Sequence, residues 1–240
     1  MIGQRSFTIA VMQPYFIPYA GYFRLFQASD LFVIYDCVQF PRRGWVHRNR
    51  LVDARGINRW LTLPLAKAQR DVLIRDLRFS PDARDLLTER LRPFHLAAEH
   101  RDVQEILVAM RDVSGSPVSY LERLLEQMVR YLAFPWKVMR SSALGIPAAL
   151  RGQHRILEIA RQLGATHYVN TPGGTGLYDV DAFAEAGIQL RFLTPYPGPS
   201  CSILSRIIGG DREELANDIR MTTRYMSSKT LADLVPDLKC

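Results

Sequence analysis

The stretch from residue 7 to residue 36 constrains the fold more than any other part of this sequence. "FTIAVM" (residues 7–12) is a short apolar run with β-branched residues, and it reads as a buried strand. In "YAGYFRLFQAS" (residues 19–29), Tyr22, Phe23 and Phe26 recur at helical spacing, which predicts a short helix. "DLFVIYD" (residues 30–36) is a second buried strand. Two apolar strands joined by one short helix predict a parallel, neighbouring pair.

The last third repeats the alternation. "WKVMRSS" reads as a strand, and "GQHRILEIARQLGA" as a helix with Ile156, Ile159, Ala160 and Leu163 on one face and Gly164 as its stop. "THYVNTP" is a strand, "GGTGLYD" a glycine-rich turn, "VDAFAEAG" a helix and "IQLRFLTPY" a strand. In the middle, "INRWLTLPL" reads as a strand ended by Pro64, and the alternating "DVLIRDLRFS" as a further strand. The 80–133 segment reads as helical, with Ser80 as an N-cap before Pro81. Within it, "SPVSYLERLLEQMVRYLA" is the clearest amphipathic helix: Ser116 caps, Pro117 starts, and Leu121, Leu124, Leu125, Met128 and Leu132 share a face. The expectation is an α/β fold: one α/β domain over residues 1–240, with a largely parallel Rossmann-like sheet and helices on both faces. A helical insertion or covering layer fills the middle, and a helical segment covers 200–240.

Hydrophobic residues make up 48% of the chain and charged residues 23%, which suits a globular protein with a real core. No apolar run approaches the roughly 18 residues of a membrane span. The N-terminus lacks the pattern of a signal peptide, so the expected location is cytoplasmic, without membrane contact. Cys37, Cys201 and Cys240 form no CxxC pair, and the five histidines form no HExxH. Neither a disulfide framework nor a metal site is expected, and no cofactor is called for. His95, His100 and His167 carry no partner pattern, and His154 reads as a surface residue. The net charge of +7 fits acidic substrates or partners, with DNA not among those expected.

In open α/β sheets ligands bind beyond the carboxyl ends of strands. Three loops should meet there: residues 13–19, 36–49 and 170–178. "YDCVQFPRRGWVHRNR" is dense in functional residue types. Cys37 lies just past a strand, where a nucleophile is held rigidly yet exposed, and its other reading is a small buried hydrophobe. His47 and the arginines Arg42, Arg43 and Arg48 would favour a thiolate. Asp36 could orient His47, but strand alternation points it away from Cys37. Gln39, with Gln13 and Asn49, could recognise an amide or hydroxyl. Arg43 and Arg48 could clamp a phosphate or carboxylate. Tyr15 and Tyr19 would wall the pocket. Gly173, Gly174 and Tyr178 belong to a weak phosphate-cradling signal, which lacks the P-loop lysine.

Two resemblances bear on function. "PYAGYFRL" has the shape of the HxGH signature of nucleotidyltransferases and pantothenate synthetase, with Tyr19 and Tyr22 where the histidines fall. Ser141 and Ser142 resemble the second phosphate-binding signature of those enzymes. More broadly, "MQPYFIPYAGYF" followed by "FVIYDCVQFPRRGWVHRNR" resembles the WbqC-like proteins. "GATHYVNTPGGTGLYD", "AGIQLRFL" and "SIL" at 202–204 extend the likeness over most of the chain. That resemblance implies a place in the biosynthesis of O-antigen sugars or specialised metabolites. It also implies amide formation by acyl or aminoacyl transfer to a small amine acceptor. The donor would be a carrier-protein thioester, a coenzyme A thioester or an aminoacyl-tRNA. The family often has an acidic residue after "YD" where this chain has Cys37, so a cysteine mechanism is particular to this branch or absent. The alternatives are a nucleotide-dependent ligase or nucleotidyltransferase-like enzyme with a degenerate HxGH motif, and a non-catalytic partner of a carrier protein or RNA.

Overall fold

The computed structural model describes residues 6–94, 96 and 100–226; His95, Cys240 and the end of the 200–240 segment lie outside them. Along the chain come β1 (Thr8–Met12), α1 (Arg24–Ala28), β2 (Leu31–Ile34), β3 (Arg48–Val52), β4 (Asn58–Thr62), α2 (Ala83–Leu91), α3 (Arg101–Arg111) and α4 (Pro117–Tyr131). Then follow β5 (Val138–Arg140), α5 (Gly152–Gln162), β6 (His167–Asn170), α6 (Val180–Glu185), β7 (Gln189–Phe192), α7 (Leu204–Gly209) and α8 (Arg212–Thr222).

Five strands form one parallel sheet in the order β5-β2-β1-β6-β7. β1 and β2 are adjacent and parallel, with Ala10 opposite Phe32, as the compact strand–helix–strand spacing requires. On its other edge β1 sets Ile9 opposite Tyr168 of β6. Strand alternation then divides the core in two. Ala10, Phe32 and Val169 face one side, under α1 and α4, and Ile9, Val33 and Tyr168 face the other, under α5 and α6. Both faces are therefore covered, as an all-parallel sheet demands. Phe26 of α1 stacks on Phe32 at 4.2 Å between ring centroids, which fixes the crossover helix on its strand.

α4 forms as its sequence predicts: Ser116 Oγ accepts from the Ser119 amide at 3.2 Å, and Pro117 starts the helix. Its apolar face, Leu121 to Leu132, is buried. Elsewhere the local signals are overridden. Ser80 does not cap: its hydroxyl donates to the Pro64 carbonyl, and α2 begins only at Ala83. "DVLIRDLRFS" is not a strand. A single 3-10 turn at Ile74–Asp76 separates two isolated bridges, Gln39 with Leu73 and Leu65 with Phe79. The "GGTGLYD" turn is a 3-10 helix, Pro172–Leu177.

The largest departure is the β3–β4 hairpin, a separate two-stranded antiparallel unit. The basic stretch read as a loop ends in a strand, with Asn49 and Leu51 turned inward and Arg50 and Val52 outward. Asp53 builds the turn: its Oδ1 accepts from the Arg55 and Ile57 amides at 2.9 Å each. Gly56 follows at φ +78°, a conformation that L side chains rarely adopt.

Candidate active site

β2 stops at Ile34, and the chain curls at once: the Asp36 amide donates to the Ile34 carbonyl at 3.0 Å. Strand alternation therefore ends before Asp36 and Cys37, and both side chains reach the same neighbour, Ser141. Ser141 follows the adjacent strand β5 and opens a short 3-10 helix, Ser141–Leu144. Its Oγ accepts from the amides of Asp36 (3.2 Å) and Cys37 (3.3 Å). The same oxygen lies 2.9 Å from Asp36 Oδ1 and 3.0 Å from Cys37 Sγ. Ser142 completes the carboxylate shell, donating from its amide at 2.9 Å to Oδ1 and from its hydroxyl at 2.6 Å to Oδ2.

The fifth member of the cluster is Arg155, buried on α5 beside Ile156 and Ile159. Its Nη1 donates to Cys37 Sγ at 3.1 Å and to the Cys37 carbonyl at 3.2 Å. Nε and Nη2 donate to the carbonyls of Leu150 (2.7 Å) and Pro147 (3.0 Å). The guanidinium is thus fixed by backbone, and its charge lies against the sulfur. Cys37, Ser141, Ser142 and Arg155 line a cleft of about 490 Å³ together with Tyr35, Gln39, Asp71, Arg75 and Arg151, and the Asp36 carboxylate is buried behind the two serines. Burial, and then the neighbouring Cys37, push the Tyr35 phenol above its ordinary range, while Arg155 opposes the rise. Tyr35 therefore stays protonated and able to donate.

The remaining predicted site residues divide between this cleft and other places. Gln39 is at the cleft rim, where its Nε2 donates to the Arg70 carbonyl at 2.9 Å. His47 does not line the cleft. It packs edge-on against Phe40 at 4.9 Å, with Nδ1 buried and without a hydrogen-bond partner. Burial, and then Arg48, push its pKa down to about 4. The expected orientation of His47 by Asp36 is replaced: Ser141 and Ser142 hold that carboxylate.

Tyr15, Tyr19 and Asn49 line a second, smaller pocket of about 130 Å³ with Pro18, Trp45 and Ser200. The expected common pocket of Gln13, Tyr15, Tyr19, Gln39 and Asn49 is thus split. Gln13 is half-buried, and its carbonyl accepts from the Tyr22 hydroxyl at 2.8 Å. Tyr22 is fully buried, so it offers no donor to a phosphate where the HxGH signature would need one. Asn49 is saturated: Nδ2 donates to the carbonyls of Phe16 (3.0 Å) and Ile17 (2.7 Å), and Oδ1 accepts from the Arg50 amide at 2.7 Å. It clamps a loop in which Ile17 is held at φ +46°.

Arg43 is exposed, and its carbonyl accepts from Arg48 Nη2 at 2.8 Å. Arg48 lies over the Trp60 ring at 4.5 Å, on the hairpin and outside the Cys37 cleft. Gly173 is open to solvent, whereas Gly174 packs on Asn170, where a Cβ would come within 2.6 Å of Nδ2. Tyr178 joins Tyr168 and Asn170 in a hydrogen-bonded group at 3.1 and 3.3 Å.

Sequence reading missed Arg155. Its signal was an arginine on the apolar stripe of α5, one residue before Ile156 and four before Ile159. Ser141 was noticed, but as a phosphate ligand.

A five-stranded parallel sheet with helices on both faces, and a cleft at its strand ends lined by a cysteine, two serines and a buried arginine, describes a class of protein, a Rossmann-like α/β fold. The chain belongs to the WbqC-like protein family, whose model matches residues 13–200. It is similar to the uncharacterized protein Rv1507c of Mycobacterium tuberculosis (strain ATCC 25618 / H37Rv), 28% identical over 191 residues, which are 77% of this chain and 80% of that one. No solved structure matches the chain significantly. Among the described residues no group of His, Cys, Asp and Glu is placed to hold a metal ion, and no helix is long and apolar enough to cross a membrane.

Proposed function

We propose that this protein is a biosynthetic acyl or aminoacyl transferase that forms an amide on a small amine acceptor through a thioester on Cys37. The observation that carries the reading is the position of Cys37 Sγ, 3.1 Å from Arg155 Nη1 and 3.0 Å from Ser141 Oγ. Thiolate, not thiol, is the attacking form of a cysteine nucleophile, and the Arg155 guanidinium is fixed beside the sulfur where it meets the donor. The Ser141 hydroxyl, which touches both sulfur and carboxylate, provides the proton path. As the thiol proton passes to Oγ, the long 3.3 Å bond from the Cys37 amide to that oxygen opens and the Oγ proton passes to Asp36, leaving a thiolate, an intact hydroxyl and a protonated carboxyl.

The thiolate attacks the carbonyl carbon of the donor, the bond to the donor's oxygen or sulfur breaks, and the leaving group takes up the proton. The amine then attacks the thioester, the C–S bond breaks, the proton lost by the amine passes to the released sulfur, and the amide departs with the Cys37 thiol restored. Tyr35, kept protonated, can donate to the carbonyl oxygen as negative charge develops on it. The rim residues Arg75 and Arg151 suit an acidic donor, and all three donor classes are acidic. Amide formation should be assayed with a carrier-protein thioester, a coenzyme A thioester and an aminoacyl-tRNA, each with and without ATP. Product that forms without ATP supports the transferase. Strict dependence on ATP with pyrophosphate release would favour the ligase reading instead.

A further inference from the structure

The exposed face of the β3–β4 hairpin carries chemistry that the Cys37 cleft does not use. Its outward positions pair Arg48 with Thr62, Arg50 with Trp60 and Val52 with Asn58. Trp60 is 43% exposed, and the guanidinium groups of Arg48 and Arg50 lie 4.5 and 4.8 Å from its ring centroid. Trp45, 42% exposed, stands 5.7 Å from Trp60 and also walls the 130 Å³ pocket with Tyr15 and Tyr19. Between Arg42 and Trp60 the sequence holds six arginines and one acid, Asp53, and that acid is taken by Arg59 at 2.5 Å. Exposed tryptophans cost solvation unless something covers them. Exposed rings with guanidinium groups over them, in a segment of six arginines and one acid, match one kind of partner best. They suit a strand that offers unpaired planar bases and phosphates in turn.

We propose that this face binds single-stranded RNA, with a base against the Trp45–Trp60 pair, phosphates on Arg48 and Arg50, and one further base entering the small pocket beside Trp45. The choice of RNA over DNA rests on the acyl-transfer reading, since RNA carries an activated acyl ester at its 3′ end. The surface itself does not depend on that reading.

The test is fluorescence anisotropy of the full chain with a short labelled oligoribonucleotide, the same sequence as duplex and as DNA, and anionic vesicles in parallel. The single strand should bind, with a log–log salt slope of about −1.4 for two phosphates neutralised. Trp60→Ala should weaken binding at least about fivefold, while Trp60→Phe retains most of it. Arg48→Gln with Arg50→Gln should flatten the salt slope. Cys37→Ala should leave RNA affinity unchanged even as it removes any acyl adduct, which separates this claim from the catalytic one. Thermal melting of each variant shows that the hairpin still folds. The proposal falls if the single strand fails to bind at low salt, if duplex binds as well, or if well-folded Trp60→Ala keeps wild-type affinity. Capture by vesicles but not by RNA would also overturn it, and tighter binding of DNA would overturn the choice of RNA.

Discussion

Arg155 is a buried cation whose nearest reactive neighbour is a sulfur atom. Three of its contacts are backbone carbonyls, so it supports the loop at Pro147 and Leu150 as well as the charge at Cys37. The two roles can be separated by substitution. Arg155→Lys keeps a cation but cannot reproduce the planar fork. Alkylation of Cys37 by iodoacetamide at neutral pH should slow about tenfold in this variant, with a modest fall in Tm. Arg155→Ala removes charge and hydrogen bonds together, and should cost about 2–3 kcal/mol in a denaturant titration. An alkylation rate unchanged in Arg155→Lys would show that the guanidinium only braces the backbone. Asp36 tests the proton path. Asp36→Asn keeps an acceptor for Ser141 but not a base, and should lower kcat about 100-fold or more while KM stays near its wild-type value. A matching rise in KM would assign Asp36 to binding instead.

Element by element, the parallel sheet was legible because each of its strands is a short apolar run and each crossover helix has a clean face. β1 and β2 needed nothing beyond their own residues. Of the hairpin, β4 was legible as a strand and β3 was not. Arg50 and Val52 point outward and Arg48 is half-buried, so β3 reads as a basic loop until Asn49 and Leu51 are seen to point inward. That misreading also placed His47 next to Cys37. Nearness in sequence does not survive a chain that leaves the sheet, passes Pro41 and Gly44, and enters another two-stranded unit. Cys37 and Asp36 were found because they directly follow a strand end. Their partners come from β5 and α5, more than one hundred residues away, and pairings over such separations leave no mark in local pattern. Asn49 ties the hairpin to the loop after β1. Asn49→Ala orphans two buried carbonyls and frees Ile17 from its left-handed conformation. The expected loss is about 2 kcal/mol by urea unfolding. A value near zero would show that water satisfies both carbonyls.

On the scale of the whole molecule, two cores back to back on one sheet should melt together, and a single calorimetric transition is expected. His47 gives that stability a pH dependence. Its pKa is about 4 in the folded protein against 6.5 for a free imidazole, so between those values the unfolded chain binds more protons. This contribution is present above about pH 6.5 and is lost as pH falls towards 4. His47→Phe should therefore flatten Tm against pH in that window, and an unchanged profile would assign the acid sensitivity elsewhere. The same shift keeps His47 neutral at physiological pH. The central claim, that the protein acts through Cys37, is tested most directly by intact-mass spectrometry of the full chain quenched during incubation with each donor and no amine. The mass should increase by one acyl group, mapped to Cys37 by peptide analysis. The adduct should discharge when the amine is added, and it should be absent from folded Cys37→Ala. Near-normal turnover by Cys37→Ala, with no adduct in the wild type, would contradict it.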